Sequence, residues 1–199
     1  MDPIEAVQKR PGMYVGDTTD GSGLHRMIDE VVDNAINEAL AGHGDRLDIV
    51  LKADGAVSVR DHGRGIPTDR HPTEGIPAVE LIMTRRGALG PMGLLVVNAL
   101  SEWLHLRIWR NGKEHRLRFR RGRPDGPLRI VGDAEVVDGT PRRGTEITFC
   151  PDAQVFANTE FDMTRIEQRL RKLPVFKAGV TVVLSDERGG GNNEIILRL

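Results

Sequence analysis

The chain has 199 residues, 28 of them basic and 29 acidic, with 39% hydrophobic and 29% charged side chains. That length suits one globular domain able to bury a core without metal or disulfide staples, and the near-neutral balance excludes a globally basic nucleic-acid binder. A single cysteine, Cys150, excludes an internal disulfide framework and a cysteine zinc cluster, and it fits a reducing, cytoplasmic setting.

No apolar run approaches the roughly 18 residues of a membrane helix. The start, Met1-Asp2-Pro3-Ile4-Glu5, lacks the basic and apolar regions of a signal peptide, so no membrane partner is expected. Aromatics are only 4% of the chain, which predicts an aliphatic core.

Residues 1–22, punctuated by Pro11-Gly12, Gly16 and Gly21, read as a loop-rich segment. A helix is predicted over 24–40, where Leu24, Met27, Ile28, Val31, Val32, Ala35, Ile36, Ala39 and Leu40 recur with a 3.6-residue period. Ser22 is its expected N-cap, and Gly42 and Gly44 end it. Alternation over 48–52 and 56–61 around Asp54-Gly55 predicts a hairpin. A short helix is expected over 77–84 and a second apolar helix over 92–101. Residues 104–110 and 114–120 around Asn111-Gly112 form the clearest hairpin. Strands are expected at 128–137, 145–149, 180–185 and 194–199, with an amphipathic helix over 161–173 that turns Phe161, Ile166, Leu170 and Leu173 inward. The fold class is therefore α+β: a two-layer arrangement of a mostly antiparallel sheet with helices on one face.

Two places carry chemistry. On the first helix Glu30, Asn34, Asn37 and Glu38 cluster opposite the apolar stripe. This is either a solvated face or a site in which a glutamate acts as general base and an asparagine offers a neutral oxygen to a hard cation. In the strand ending at Asp61, Val57 and Val59 share its parity, so the carboxylate points with apolar neighbours. It either caps its own turn or is buried and needs a donor. Gly63 and Gly65 follow and open the backbone to a flat ligand.

These segments resemble the ATPase components of bacterial type II topoisomerases, the gyrase B family, with the B component of topoisomerase IV as a near neighbour. The resemblance rests on Arg10-Pro11-Gly12-Met13-Tyr14-Val15-Gly16, Glu30-Val31-Val32-Asp33-Asn34-Ala35, Asp61-His62-Gly63-Arg64-Gly65-Ile66-Pro67, Val96-Val97-Asn98-Ala99-Leu100-Ser101 and Arg143-Gly144-Thr145-Glu146-Ile147, and covers nearly the whole chain. It implies the GHKL, Hsp90-like ATP-binding sandwich, shared with MutL and histidine kinases, and the cofactors ATP and Mg2+.

By that resemblance Glu30 activates the attacking water and Asn34 ligates magnesium. Asp61 accepts a hydrogen bond from the adenine amino group, with Thr145 supporting it through a water. Arg64 lies along the adenine pocket, paired with Glu38. Val31, Gly65, Ile66, Pro67 and Ile147 line it, and Gly93 belongs to the phosphate turn. Arg110 matches the rim arginine that aminocoumarin inhibitors contact; read on its own it is a solvated strand-end residue. The implied partners are ATP, adenine-site inhibitors and, for the parent protein, gyrase A and DNA.

The sequence departs from the family between Met83 and Val96, where a long lid and a Gly-rich turn belong. Here it reads Arg85-Arg86-Gly87-Ala88-Leu89-Gly90-Pro91-Met92-Gly93. Pro91 removes one N–H donor from the phosphate cradle, and the link is too short to cover a triphosphate. Arg26 stands where the family has a second histidine assisting the catalytic glutamate. His62 and Asn37 also differ. The N-terminal dimerisation arm and the transducer subdomain are expected to be absent, leaving 1–199 as a single ATP-binding domain and a monomer. The reading is a domain that binds adenine-site ligands with little turnover, the alternative being a degenerate nucleotide-binding paralogue.

Other signals are weaker. Arg107, Arg110, Lys113, Arg116, Arg118, Arg120, Arg121 and Arg123 form a local basic run with little aromatic interleaving, which reads either as the solvated face of an alternating hairpin or as a direct contact to DNA. Trp103 and Trp109 are expected on the sheet surface. The six histidines lack zinc-ligand spacing.

Overall fold

The computed structural model describes residues 2–85, 93–191 and 193–198. Helices α1 (Pro3–Lys9), α2 (Gly12–Val15) and α3 (Ser22–Leu40) open the chain, followed by strands β1 (Arg46–Leu51) and β2 (Val57–Asp61). Helices α4 (Ala78–Thr84) and α5 (Gly93–Ala99) lead into β3 (Ser101–Arg110) and β4 (Lys113–Arg120). Then come β5 (Arg123–Pro124), β6 (Arg129–Asp133), the ribbon β7 (Val136–Val137) and β8 (Thr140–Pro141), and β9 (Gly144–Pro151). Helix α6 (Met163–Leu170), a 3-10 turn (Pro174–Ala178), β10 (Thr181–Asp186) and β11 (Asn193–Leu197) complete the described residues.

One nine-stranded sheet runs β11-β10-β1-β2-β9-β3-β4-β5, with β6 also on β4. Only β1–β10 is parallel; every other pair in it is antiparallel. The α+β expectation therefore holds. Alternation selects the inner face: Val57, Val59 and Asp61 on β2, Thr145, Ile147 and Phe149 on β9, and Leu104, Leu106 and Ile108 on β3 are all buried. Helix α3 packs over β2 and β9 through the stripe that begins at Leu24 and Met27. The core is mostly aliphatic, as composition predicts, with Phe119, Phe149, Phe156 and Phe161 among its members.

Several boundaries differ from expectation. The first 22 residues are not loop throughout. Asp2 caps α1, its Oδ1 accepting from the N–H groups of Ile4 at 2.8 Å and Glu5 at 3.5 Å, with Pro3 at the first helical position. Punctuating glycines mask so short a helix, which tertiary contacts of Ile4 and Val7 hold in place. Ser22 is inside α3 rather than its cap; Gly21, at φ 80°, takes that position, and the Ser22 hydroxyl bonds Asp20. The 161–173 helix is confined to α6, which starts only at Met163 because Asp162 caps it, although Phe161, Ile166, Leu170 and Leu173 are buried as expected. The strand expected at 128–137 breaks into β6 and β7. Trp109 is fully buried although it points to the outer face, because three arginines cover it. No described helix is long and apolar enough to cross a membrane.

Candidate functional site

Asp61 is 4% exposed at the inner end of β2. Its Oδ1 accepts from the backbone N–H of Gly63 at 2.8 Å and of Thr145 at 3.3 Å. Burial pushes its pKa up to about 6, against those two donors. Among the described residues no hydrogen bond reaches Oδ2. A buried carboxylate is thus fixed by one oxygen and presents the other.

The surrounding backbone is shaped by glycine. A Cβ on Gly63 would come within 2.9 Å of Asp61 Oδ1 and of Glu38 Oε2. Gly144, at φ 116°, lies so close that a Cβ would overlap the Asp61 carbonyl oxygen. Only glycine lets β9 begin here and aim the Thr145 N–H at Asp61. The Thr145 Oγ1 accepts from the N–H of Ile66 at 2.9 Å, which fastens the 62–67 turn to β9 and leaves the hydroxyl proton to donate. The Thr145 N–H thus supports Asp61 directly.

Arg64 grips Glu38 through two nitrogens, at 2.9 and 3.2 Å, and through its backbone N–H at 3.2 Å. These bonds hold the Glu38 carboxyl below its ordinary range. Arg110 is not merely a solvated strand end: its Nη1 donates to the Gly65 carbonyl at 2.8 Å and the Arg64 carbonyl at 3.4 Å. Ile147 pairs with Val59 across β2–β9 and is buried, as is Val31 on α3, while Ile66 is half-buried and Pro67 exposed.

The second cluster lies on α3. Glu30 Oε1 is 2.7 Å from Arg26 Nη2, one turn back. Gly93, the first residue of α5, abuts Glu30, since a Cβ there would overlap its carboxylate. Asn34, a turn beyond Glu30, is half-buried and makes no side-chain hydrogen bond among the described residues. Of the expected phosphate turn, residues 86–92 lie outside the described residues, so the readings of Gly87, Gly90 and Pro91 do too. Only 85–92 join α4 to α5. Cavities of 550 and 630 Å³ lie elsewhere, beside Ile4 and Glu80 and beside Asp54 and Phe161.

Sequence reasoning missed Gly144's close approach, the Arg26–Glu30 pair and Asn98. The fully buried Asn98 donates to the carbonyls of Met83, at 2.9 Å, and Gly122, at 3.2 Å, tying α5 to its neighbours. The positive φ of Gly144 has a signal, a glycine before a strand; the arginine pair has one in its i, i+4 spacing.

Residues 19–155 match the family described as histidine kinase-, DNA gyrase B-, and HSP90-like ATPase. The chain belongs to that ATPase family. It is 51% identical to the DNA gyrase B protein of Rickettsia bellii, over 93% of this chain and 24% of that protein. It is 43% identical to the DNA gyrase B protein of Synechocystis, over 98% of this chain and 19% of that one. The chain spans about a quarter or less of the length of these curated relatives. Among solved structures it superposes on the 43K ATPase domain of Thermus thermophilus gyrase B in complex with an aminocoumarin, with a TM-score of 0.90 at 42% identity. That match covers 99% of this chain and 51% of the other.

Proposed function

We propose that the chain is the ATP-binding domain of a gyrase-type DNA topoisomerase, whose parent couples ATP hydrolysis to DNA supercoiling together with gyrase A. On its own the domain holds adenine nucleotides and adenine-site inhibitors better than it turns ATP over. The observation that carries this reading is Asp61: a buried carboxylate, anchored by two backbone N–H groups through Oδ1 and presenting Oδ2. Identity near 50% with gyrase B proteins, together with the retained Glu30, Asn34, Asp61 and Thr145, favours it over a degenerate paralogue.

In this reading Oδ2 accepts the adenine amino proton, the Thr145 hydroxyl donates beside it, and Gly63 and Gly65 let the base lie against the backbone. Val31, Ile66, Pro67 and Ile147 enclose the ring, and Arg110 and the Arg64–Glu38 pair form the rim on which an aminocoumarin would rest. Glu30 accepts a proton from the attacking water at the other end. The residues fit magnesium held jointly with nucleotide: Asn34 offers an unbonded neutral oxygen, and no cluster of three acidic, His or Cys side chains among the described residues could cage an ion alone. When bound, the ion neutralises phosphate charge; holding it is the task of Asn34, while Glu30 handles the proton. Each missing phosphate donor in a shortened link would forfeit about 3 kcal/mol of transition-state stabilisation, hence weak turnover in a single ATP-binding domain.

Calorimetry tests this with an aminocoumarin and with a non-hydrolysable ATP analogue plus magnesium, on the native chain and on Asp61→Asn. Strong inhibitor binding, weaker analogue binding and loss of both in the variant are expected. No binding of either ligand to the native chain would overturn the reading.

A further inference from the structure

The helices cover one face of the sheet and leave the other open. On that open face the register aligns one row of charge across the strands: Arg60 opposite Glu146, Glu146 opposite Arg107, Arg107 opposite Arg116, and Arg116 opposite Arg129. Strand neighbours are about 4.8 Å apart, so four guanidinium groups lie along roughly 19 Å.

The positive charge exceeds what the protein neutralises. Arg60, Arg107 and Arg142 stand 4.7, 4.8 and 5.4 Å from the ring centroid of the single buried indole of Trp109. Among the described residues the buried Nε atoms of Arg60 and Arg142 have no hydrogen-bond partner. The nearby carboxylates are already engaged: Glu114 by Arg107 and Arg116, Glu146 by Arg107, and Glu135 by Arg142. Among the described residues Arg60, Arg118, Arg129 and Arg143 form no ion pair. Two hollows bracket the row, one of 240 Å³ lined by Arg60, Arg142 and Arg143, the other of 390 Å³ lined by Arg116, Arg118 and Arg129. Like charges drawn together this way repel unless an external anion joins them.

We propose that this open face is a docking surface for the phosphate backbone of a nucleic-acid duplex. The charge is a row rather than a point, which suits a repeating phosphate chain better than one small anion. The guanidinium groups supply planar donors for phosphate oxygens. Trp109 is roofed by arginines and cannot stack on a base, so contact is with the backbone and is not sequence-specific. The surface lies opposite the adenine site and does not depend on the ATP reading.

The test is fluorescence anisotropy of the full chain with a labelled duplex of about 20 base pairs over a salt series. The variant combines Arg116→Gln, Arg118→Gln and Arg129→Gln, all exposed positions. A control combines Arg171→Gln, Lys172→Gln and Lys177→Gln, which removes equal charge away from this face. The face variant should lose more than tenfold in affinity and flatten the salt slope by about 2–3, while the control stays near wild type. Inhibitor binding should be unchanged in both, reporting an intact fold. Equal losses in the two variants, absent binding by the wild type, a preference for single strands, or full displacement by pyrophosphate at equal phosphate concentration would each overturn the proposal.

Discussion

The two ends of the candidate cleft are built from different material. At the proposed adenine end Asp61 is held by backbone N–H groups of the 62–67 turn and of β9, in a place where two chain segments meet. At the other end, among the described residues, Glu30 is paired with one side chain, Arg26, from its own helix, and Asn34 has no side-chain partner. Backbone donors cannot rotate away, so the first end is preorganised for recognition; the second is adjustable and takes its final form from what binds.

The same substitution at both ends exposes this difference most strongly. Gly144→Ala would drive a Cβ into the Asp61 carbonyl at φ 116°, where neither partner can yield. A cost of about 3 kcal/mol or more is expected, together with loss of inhibitor binding. Gly93→Ala meets the Glu30 carboxylate, which can swing away, and the Glu30 Cβ at 3.0 Å, which needs only a small shift, so about 1–2 kcal/mol is expected. Thermal melts compare them; equal destabilisation would erase the distinction.

Asp61→Asn separates recognition from stability. Oδ2 becomes an amide donor facing the adenine amino group, so affinity should drop about 100-fold. Stability should move the other way. The carboxyl is raised from 3.8 to about 6 in the fold, so its contribution is full below pH 3.8 and lost as pH rises through 6. At pH 7.5 the native chain therefore carries a buried charge costing up to about 3 kcal/mol. The asparagine variant should melt higher at pH 7.5, with the advantage gone near pH 4. In the native chain, whose carboxyl is raised to about 6, inhibitor affinity should fall about fivefold between pH 6 and 5, as the acceptor is protonated. A flat profile over that range would place the acceptor elsewhere.

This contrast also explains what the sequence could express. Asp61, Gly63 and Thr145 were legible because a carboxylate sharing parity with Val57 and Val59 is a local pattern, and the gyrase-like motifs name the rest. The fold class followed from period and hairpin turns. The Thr145 N–H bond to Asp61, the Arg110 grip on Gly65 and the alignment of Arg107 and Arg116, both in the basic run, with Arg60 and Arg129 were not legible, because each depends on register between strands. The short α1 was hidden for the opposite reason: its own sequence is too brief to make a periodic signal, and contacts made elsewhere hold it.

Arg64→Ala probes how much of the adenine end is side chain. Arg64 is bidentate on Glu38, yet its side chain is 54% exposed, and solvent screens such pairs so that they add little. Because Asp61 is fixed without it, inhibitor affinity should fall only a few-fold by calorimetry. A loss beyond tenfold would mean that the rim, rather than the backbone, organises this end.

Glu30→Gln should have the smallest effect on recognition, and for that reason divides the two ends most cleanly. The substitution keeps the shape beside Gly93 and removes only the charge paired with Arg26, whose side chain is 54% exposed. An i, i+4 pair of that kind stabilises a helix by about 0.5 kcal/mol at most, so the melting temperature should hardly move. Inhibitor affinity should stay within twofold, since the bonds that fix Asp61, Thr145 and the 62–67 turn do not involve Glu30. Any residual ATP turnover should vanish, because a carboxamide cannot take the proton from water. If inhibitor binding weakened along with turnover, the ends would be coupled through α3, and the adenine site would owe its order to the helix as well as to the sheet.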